Sequence, residues 1–397
     1  MKLYEWLDRA LLAPLGPERG HALALLGMSL GIAPRAPRVD DPFLWNGVDF
    51  PNRIGVAAGF DKNAVGLRGL AAIGAGFAEI GTILTRPWAG QPLRPRMARL
   101  PAERGIWNRL GFPSDGVARI APRIAHFSGD AFTLGCNIAP HPLTLKTVGE
   151  PGFSERVRGE LGELIAALHP HARFFVINLS SPNTSGLRGV LHGEGFAQEI
   201  VAPVRERLRA LSKRALDDRP NAAREAQAAE RRASGAGRAQ RGEGERRVAR
   251  TGNAQPPLLL VKLPPEDAAR APWRAETLRA LVGPLAHPEI CDGFVAVNTS
   301  ISLALAKSRF AQPDAPGGVS GAPLFAHSLG AMRALSELAH PQQLRIGVGG
   351  VMTPENAVEL ARAGAQLVEL YSGMIYRGPS LIRECAEALK SASPALL

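Results

Sequence analysis

The sequence predicts an α/β fold, a (β/α)8 TIM barrel preceded by a small N-terminal helical hairpin. Short apolar, strand-forming runs alternate with amphipathic helical stretches along most of the 397 residues. Parallel strands joined by crossover helices produce this alternation, and eight of them close into a barrel. The eight runs are residues 53–58, 77–83, 132–138, 174–179, 258–263, 293–298, 345–351 and 367–372. The helical stretches are residues 64–73, 155–168, 196–211, 323–338, 354–363 and 380–389.

The first 38 residues predict a separate unit. Apolar residues recur at helical spacing in residues 3–12 and 21–30, and prolines lie between the two stretches. The hairpin either packs on the barrel or lies in a membrane interface, where Tyr4 and Trp6 suit the boundary between lipid and water. The barrel is expected over residues 39–397.

A β-hairpin is predicted before the first barrel strand, and the N-terminal sequence and the cysteines bear on the compartment of the protein. Residues 43–45 and 48–50, around an Asn-Gly turn, predict a β-hairpin. No signal peptide is apparent, and the longest apolar run near the start is too short to span a bilayer. The three cysteines are scattered without metal-binding spacing, which argues against disulfides, a zinc site and an iron–sulfur cluster (Cys136, Cys291 and Cys385).

One segment contributes an excess of 5 positive charges to the formal charge of +11. Residues 213–250 hold 11 Lys and Arg against 6 Asp and Glu, with few large apolar side chains. Such a composition cannot bury enough surface to offset the entropy of ordering. We therefore predict a disordered basic insertion at residues 213–252, either a solvated loop or, as the alternative, a contact for nucleic acid or anionic lipid.

The stretch at residues 176–188 is the centre of the predicted site. An apolar strand runs into a loop that offers Asn178, Ser180, Ser181, Asn183 and Thr184. An ordinary Asn/Ser turn is the alternative to a binding loop.

Every other predicted strand also ends in polar or glycine residues. Because the active site of such a barrel is built at the carboxyl ends of its strands, these residues are expected to converge. They are Gly59, Asp61, Lys62, Asn63, Thr82, Asn137, Lys262, Asn298, Thr299, Gly349, Gly350, Tyr371, Ser372 and Gly373. Lys262 is open to a second interpretation, as a barrel-lining ion pair.

The residue types at these ends favour redox chemistry on a bound cofactor. Glycines after the seventh and eighth strands are placed to cradle a phosphate. The set holds lysines and amides, with no histidine, no paired carboxylates and no metal ligands, which argues against glycoside or metal-assisted hydrolysis. A phosphorylated flavin fits, because the cofactor then carries the difficult step.

Nine stretches together resemble the dihydroorotate dehydrogenase family. They are AAGFDKN (57–63), EIGT (79–82), NRLGF (108–112), INLSSPNTSGLR (177–188), VKLPPE (261–266), VNTS (297–300), GGVSGAPL (317–324), GVGG (347–350) and YSGMIYRGP (371–379). Ser181, where the soluble class has Cys, and PERGH at 17–21 are similar to the quinone-linked, membrane-associated class. The resemblance implies oxidation of dihydroorotate to orotate in pyrimidine biosynthesis, with FMN as hydride acceptor and a membrane quinone as final acceptor.

The resemblance also implies roles for individual residues. Ser181 takes the C5 proton of dihydroorotate. The substrate is held by Lys62, Asn108, Arg109, Leu110, Gly111, Phe112, Asn178, Asn183, Asn298 and Thr299. FMN is held by Ala58, Gly59, Phe60, Asp61, Lys62, Thr82, Asn137, Asn178, Lys262, Val297, Gly321, Gly350, Tyr371 and Ser372. His21 and Arg99 line a quinone tunnel, and no metal is expected.

The remaining expectations concern partners and departures. A monomer bound peripherally to the cytoplasmic side of the inner membrane is implied, with no nucleic-acid partner. Ala139-Pro140-His141 replaces the usual Gly-Lys-Asn, and Val297 replaces a usual Thr. Rival interpretations are a fumarate- or NAD-linked enzyme of the same family, a tRNA dihydrouridine synthase, and a non-catalytic barrel that binds membrane or RNA.

Overall fold

Eight parallel strands close into a barrel, which confirms the predicted fold class. The computed structural model describes residue 4 and residues 7–127, 132–180, 195–217, 255–265, 275–301 and 317–392. Around the barrel, the strands follow chain order: β3 (Ile54–Val56), β4 (Phe77–Ile83), β7 (Thr133–Ile138), β8 (Phe174–Ile177), β9 (Leu258–Leu263), β10 (Gly293–Ala296), β12 (Leu344–Val348) and β13 (Leu367–Leu370).

The helices pack outside the barrel and bury a continuous apolar layer against it. In chain order they are α1 (Pro17–Ser29), α2 (Leu67–Ala72), α3 (Val117–Ala125), α4 (Pro142–Leu145), α5 (Phe153–Leu168), α6 (Ala202–Asp217), α7 (Ala275–Val282), α8 (Phe325–Leu338), α9 (Pro354–Arg362), α10 (Ser372–Arg377) and α11 (Ser380–Ala392). A π-helical turn, Phe196–Val201, leads into α6. Helix α3 was not predicted from the sequence. It contains Pro122, and proline is unusual inside a helix because it has no backbone N–H to donate.

The amino end of the barrel is closed by the predicted β-hairpin, β1 (Phe43–Trp45) and β2 (Val48–Phe50). Phe50 packs edge-on against Phe77, with ring centroids 5.6 Å apart. Gly135 makes room for a third ring, because a Cβ there would lie 2.0 Å from Phe174. The aromatic plug leaves the opposite end of the barrel for a site.

A three-stranded antiparallel sheet stands over the carboxyl end and was not predicted. It consists of β5 (Met97–Leu100), β6 (Gly105–Asn108) and β11 (Gly318–Gly321), in the order β11-β6-β5. Asn108 pairs with Gly318, so β6 and β11 meet across about half of the chain. A pairing between such distant segments has no local sequence signal.

The N-terminal unit consists of a π-helical turn, Asp8–Leu12, followed by α1. It is attached to β5 and to the segment before it by ion pairs, Asp8 with Arg99 at 2.7 Å and Glu18 with Arg96 at 2.6 Å. Close packing fixes α1 against α2, since a Cβ on Gly69 would lie 2.3 Å from Cβ of Met28. Among the described residues, no helix has both the length and the hydropathy to cross a bilayer.

The segment predicted as an insertion begins later than residue 213. Helix α6 continues to Asp217, and Ser212 within it is buried and lies 2.9 Å from the ring of His169. Residues 213–217 are therefore helical, and the remainder, from residue 218 to residue 252, lies outside the described residues.

Candidate active site

A polar cavity with an empty volume of about 1040 Å³ opens at the carboxyl ends of the barrel strands. The strand-end residues converge on it as the sequence predicts for this fold, and the antiparallel sheet forms part of its wall.

The loop after β3 supplies a lysine to this cavity. Asp61 organises the loop, because its carboxylate accepts hydrogen bonds from the backbone N–H groups of Val65 at 3.0 Å and Gly66 at 2.7 Å. Lys62 donates to the carbonyl oxygen of Gly59 at 2.5 Å. Burial lowers the pKa of Lys62 to about 8, although Asp61 opposes the shift. The side chain of Lys62 is therefore positively charged at neutral pH and loses its proton under mildly alkaline conditions.

A chain of side-chain amides runs from the barrel interior to the start of the central loop. Thr82 donates to Oδ1 of Asn137 at 2.6 Å, and Asn178 donates to the same oxygen at 3.1 Å. Asn298 donates to Asn178 at 3.3 Å and to Oγ of Ser180 at 2.9 Å. Because each amide fixes the next, the donors and acceptors of Asn178 and Asn298 are held in one orientation.

The floor of the cavity contains a carboxylate pair that sequence analysis missed. Lys262 lies 3.3 Å from Glu79, so the ion-pair interpretation of this lysine is observed, and Lys262 lines the cavity as well. Glu369 also lines the cavity, and burial and Glu79 raise its pKa well above the ordinary value. The expected absence of paired carboxylates was therefore wrong. Acidic residues within two otherwise apolar barrel strands were the available signal.

One glycine turn and the start of α10 border the cavity. Gly349 and Gly350 follow β12 with φ values of +119° and +77°, which other residues rarely adopt. A Cβ on Gly350 would lie 2.5 Å from the backbone nitrogen of Phe325, so only glycine lets this turn approach the start of α8. Tyr371, at the start of α10, makes no side-chain cap, and its hydroxyl donates to Gly59 at 3.3 Å.

A second cavity, about 1630 Å³ in empty volume and mainly apolar, lies beneath the N-terminal unit. Met97, Ile106 and Tyr371 border both cavities. His21 lines the apolar cavity, and its Nε2 lies 2.6 Å from the carbonyl oxygen of Phe60. Burial, assisted by the charge of Lys62, lowers the pKa of His21 to about 4, so the ring is neutral at pH 7. Arg99 lines the same cavity and holds Asp8 through two hydrogen bonds.

Most of the predicted site residues meet in these cavities. Those bordering the polar cavity are Gly59, Lys62, Thr82, Asn108, Leu110, Gly111, Phe112, Asn178, Lys262, Val297, Asn298, Thr299, Gly350, Tyr371 and Ser372. Cavity-lining residues that were not predicted include Met97, Ile106, Ser320 and Glu369. Ser320 lies 2.9 Å from Ser372, between their hydroxyl oxygens.

Other predicted residues do not line the polar cavity as the structure describes it. They are Ala58, Phe60, Asp61, Arg109, Asn137 and Gly321. Arg109 is buried, donates to the carbonyl of Pro95 and lies 5.7 Å from the ring centroid of Trp107. Ser181 and Asn183 lie outside the described residues.

The Ala139-Pro140-His141 departure has a structural role. His141 is buried and caps α4, its Nδ1 accepting from the N–H of Leu143 at 3.2 Å. Its own N–H donates to Glu160 of α5 at 2.6 Å. The altered loop is therefore fixed to the outer helices.

A closed parallel barrel with lysines, ordered amides and glycine turns around one cavity defines a cofactor-dependent barrel enzyme. The family model described as dihydroorotate dehydrogenase matches residues 44–392. The chain belongs to the dihydroorotate dehydrogenase family, whose members are flavoenzymes and oxidoreductases.

Curated relatives support this assignment along the full length. A dihydroorotate dehydrogenase (quinone) from Albidiferax ferrireducens is 33% identical over 397 residues, with 97% of this chain and 98% of the relative covered. A protein of the same name from an Azoarcus species is 35% identical over 395 residues, with 97% and 98% covered.

Solved structures are similar as well. The crystal structure of dihydroorotate dehydrogenase from Eimeria tenella in complex with ferulenol gives a TM-score of 0.76 at 28% identity, with 98% of this chain and 95% of that chain covered. The ligand-free structure from the same organism gives a TM-score of 0.72.

Proposed function

We propose that this protein oxidises dihydroorotate to orotate in pyrimidine biosynthesis and passes the electrons to a membrane quinone. One observation carries the proposal: a polar cavity and a larger apolar cavity share the wall formed by Met97, Ile106 and Tyr371. The first suits a small charged substrate and the second an isoprenoid quinone. The curated relatives named as quinone-dependent enzymes support the same conclusion.

FMN is the flavin that the polar cavity fits. The turn at Gly349 and Gly350 and the uncapped start of α10 at Ser372 offer backbone N–H groups to a phosphate. Lys262, which lines the cavity, would supply a cation to stabilise the negative charge of the reduced flavin. Bound FMN accepts a hydride and returns the electrons singly or in pairs, which is chemistry that no side chain supplies.

The substrate is held by charge and by amides. Lys62 binds its carboxylate, and Asn108, Asn178, Asn298 and Thr299 match the alternating donors and acceptors of a pyrimidine edge. Ser181 takes the proton from C5. A serine hydroxyl is a weak base, so this step needs a proton acidified by the adjacent carbonyl and a relay through water.

The quinone is bound by the apolar cavity and two polar side chains at its wall. Neutral His21 donates through Nε2 to Phe60, which leaves Nδ1 as an acceptor for a quinol hydroxyl. Arg99, held by Asp8, supplies a cationic donor for a quinone oxygen.

The N-terminal unit, residues 1–38, brings the quinone in from a membrane surface. Among the described residues of this unit, five large apolar side chains are exposed to solvent: Leu11, Leu15, Leu26, Leu30 and Ile32. Such a patch is typical of a face that enters a lipid interface. We place the protein as a monomer, bound peripherally on the cytoplasmic side of the inner membrane.

An assay with three electron acceptors tests the proposal. Purified protein is given dihydroorotate with ubiquinone, fumarate or NAD in parallel, and orotate formation is measured. We expect turnover with ubiquinone alone. Turnover with fumarate or NAD assigns the chain to the soluble class of the family. Absence of bound flavin, or of any turnover, contradicts the proposal.

A further inference from the structure

Three ionisable side chains from different strands meet on the floor of the cofactor cavity. Glu79 on β4 lies 3.3 Å from Lys262 on β9, and its other carboxylate oxygen accepts from the amide of Asn137. Glu369 on β13 completes the group. Glu79 and Glu369 are each 1% exposed and Lys262 is 4% exposed, so water does not screen their charges.

The carboxylate of Glu369 lacks the hydrogen-bond donors that a buried anion requires, among the residues that the structure describes. Neither carboxylate oxygen has a hydrogen-bond partner among the described residues, although the side chain lines the cavity. An unpaired buried carboxylate is strongly disfavoured, and such a group takes up a proton instead. Burial, and the charge and carboxyl group of Glu79, raise the pKa of Glu369 well above its ordinary value, and a hydrogen bond between two carboxyl groups requires a proton on one of them.

Other titratable groups nearby do not supply the missing charge. Burial raises the pKa of the Cys136 thiol and of the Tyr371 hydroxyl, so both are neutral at pH 7. Lys62 is a cation on the cavity wall, and its interactions are with Gly59 and Asp61. Two carboxylates therefore face one ammonium, Lys262.

We propose that Glu79 and Glu369 share a single proton beneath the cofactor, so that the floor formed with Lys262 is electrically neutral and Glu369 presents a neutral carboxyl group to the flavin. The proton belongs to the pair, as in other closely coupled carboxyl groups. The identity of the cofactor rests on the proposed function, whereas the shared proton rests on the geometry of the three side chains.

Infrared difference spectroscopy detects the proton directly. The wild type at pH 7 is expected to show a neutral carboxylic acid carbonyl band that shifts in D2O. E369Q removes one of two carboxyl groups that share one proton, so the band is lost, and E79Q loses it too because the remaining carboxylate pairs with Lys262. E359Q, which changes an exposed glutamate of α9, should keep the band.

The spectra of the wild type and of E79Q decide whether a proton is present and whether the two carboxyl groups share it. Absence of the acid band in the wild type overturns the proposal. A band that persists in E79Q shows that Glu369 is protonated by burial alone, and overturns the sharing. Should E79Q fail to fold, E79L, which also removes the carboxyl group of Glu79, takes its place in this comparison.

The midpoint potential of the bound flavin is an independent readout. E369Q exchanges one neutral group for another, so the potential at pH 7, measured by dithionite titration, should equal that of the wild type and of E359Q. A rise in potential in E369Q shows that an anion was removed and contradicts the proposal. Neither measurement uses dihydroorotate or quinone, so both remain informative if the proposed function fails.

Discussion

Lys62 makes the substrate affinity depend on pH. Its ammonium group is charged below its pKa of about 8 and neutral above it. Affinity for the carboxylate of orotate should therefore be constant from pH 6.5 to 7.5 and fall about tenfold per pH unit above 8. Orotate titrations followed by flavin absorbance measure this dependence.

The matched control keeps the charge. K62R should bind orotate with little change between pH 7 and 9, because a guanidinium is not discharged in this range. Wild-type affinity that is flat up to pH 9 would remove Lys62 from the recognition of the carboxylate.

Ser181 is the second residue whose role can be separated from binding. S181A should retain FMN and slow flavin reduction by dihydroorotate by roughly 10²–10⁴-fold, the usual contribution of a positioned base. Reoxidation by quinone should be unchanged, since Ser181 acts on the substrate alone. Stopped-flow traces with a normal reductive phase would exclude it as the base.

At the scale of single residues, the sequence predicted polar residues at and beyond the carboxyl ends of the strands, including Lys262 of β9, but missed Glu79 and Glu369. Lys62, Asn178 and Asn298 were found because the ends of parallel strands converge. Glu369 was missed because its contact with Glu79 joins β4 to β13, and no local pattern records which side chains meet across a barrel.

The exposed face of the N-terminal unit is the membrane contact that we propose. Leu26 and Ile32 are 54% and 73% exposed, so the fold does not depend on them. The double variant L26E/I32E should release the protein from liposomes, with affinity lowered at least tenfold, because each buried leucine or isoleucine contributes roughly 1.5–3 kcal/mol.

The control for this element lies at the opposite end of the barrel. Leu44 of β1 is 68% exposed, and L44E should leave liposome binding intact. L44E should reduce a short soluble quinone at the wild-type rate, while L26E/I32E, whose two residues also line the apolar cavity, should be impaired with a long-chain quinone embedded in the bilayer. Equal liposome binding by the two variants would show that this face does not contact lipid.

Elements were predictable where the pattern is local. β4 and β9 have the predicted bounds, because each is a buried and mainly apolar run. β5, β6 and β11 were not predicted, since a wall built from segments about 200 residues apart depends on tertiary pairing. The antiparallel sheet supplies Met97 and Ile106 to the wall between the two cavities. Sequence patterns therefore could not predict this wall.

At the scale of the whole molecule, the basic segment between α6 and β9 should be dispensable. Deleting residues 219–253 and joining the ends with a short Gly/Ser linker keeps Ser212 and all of α6. Loop length changes the closure entropy slowly, by about 0.6 kcal/mol per doubling, so the melting temperature should move by only a few degrees.

The deletion variant should retain bound flavin and both half-reactions. Its charge is lower, and binding to neutral liposomes should be unchanged. A protein that is insoluble or free of flavin, while a variant of the same length with a scrambled segment is normal, would show that the segment is part of the fold.

The wall that Met97, Ile106 and Tyr371 form between the two cavities has a consequence for steady-state kinetics. We expect the reductant and the oxidant to use different entrances, so that neither occupies the binding site of the other. An apolar compound lodged under α1 cannot be displaced by raising the concentration of dihydroorotate. Such a compound should hold the enzyme in its reduced form. Saturating dihydroorotate should therefore not relieve the inhibition.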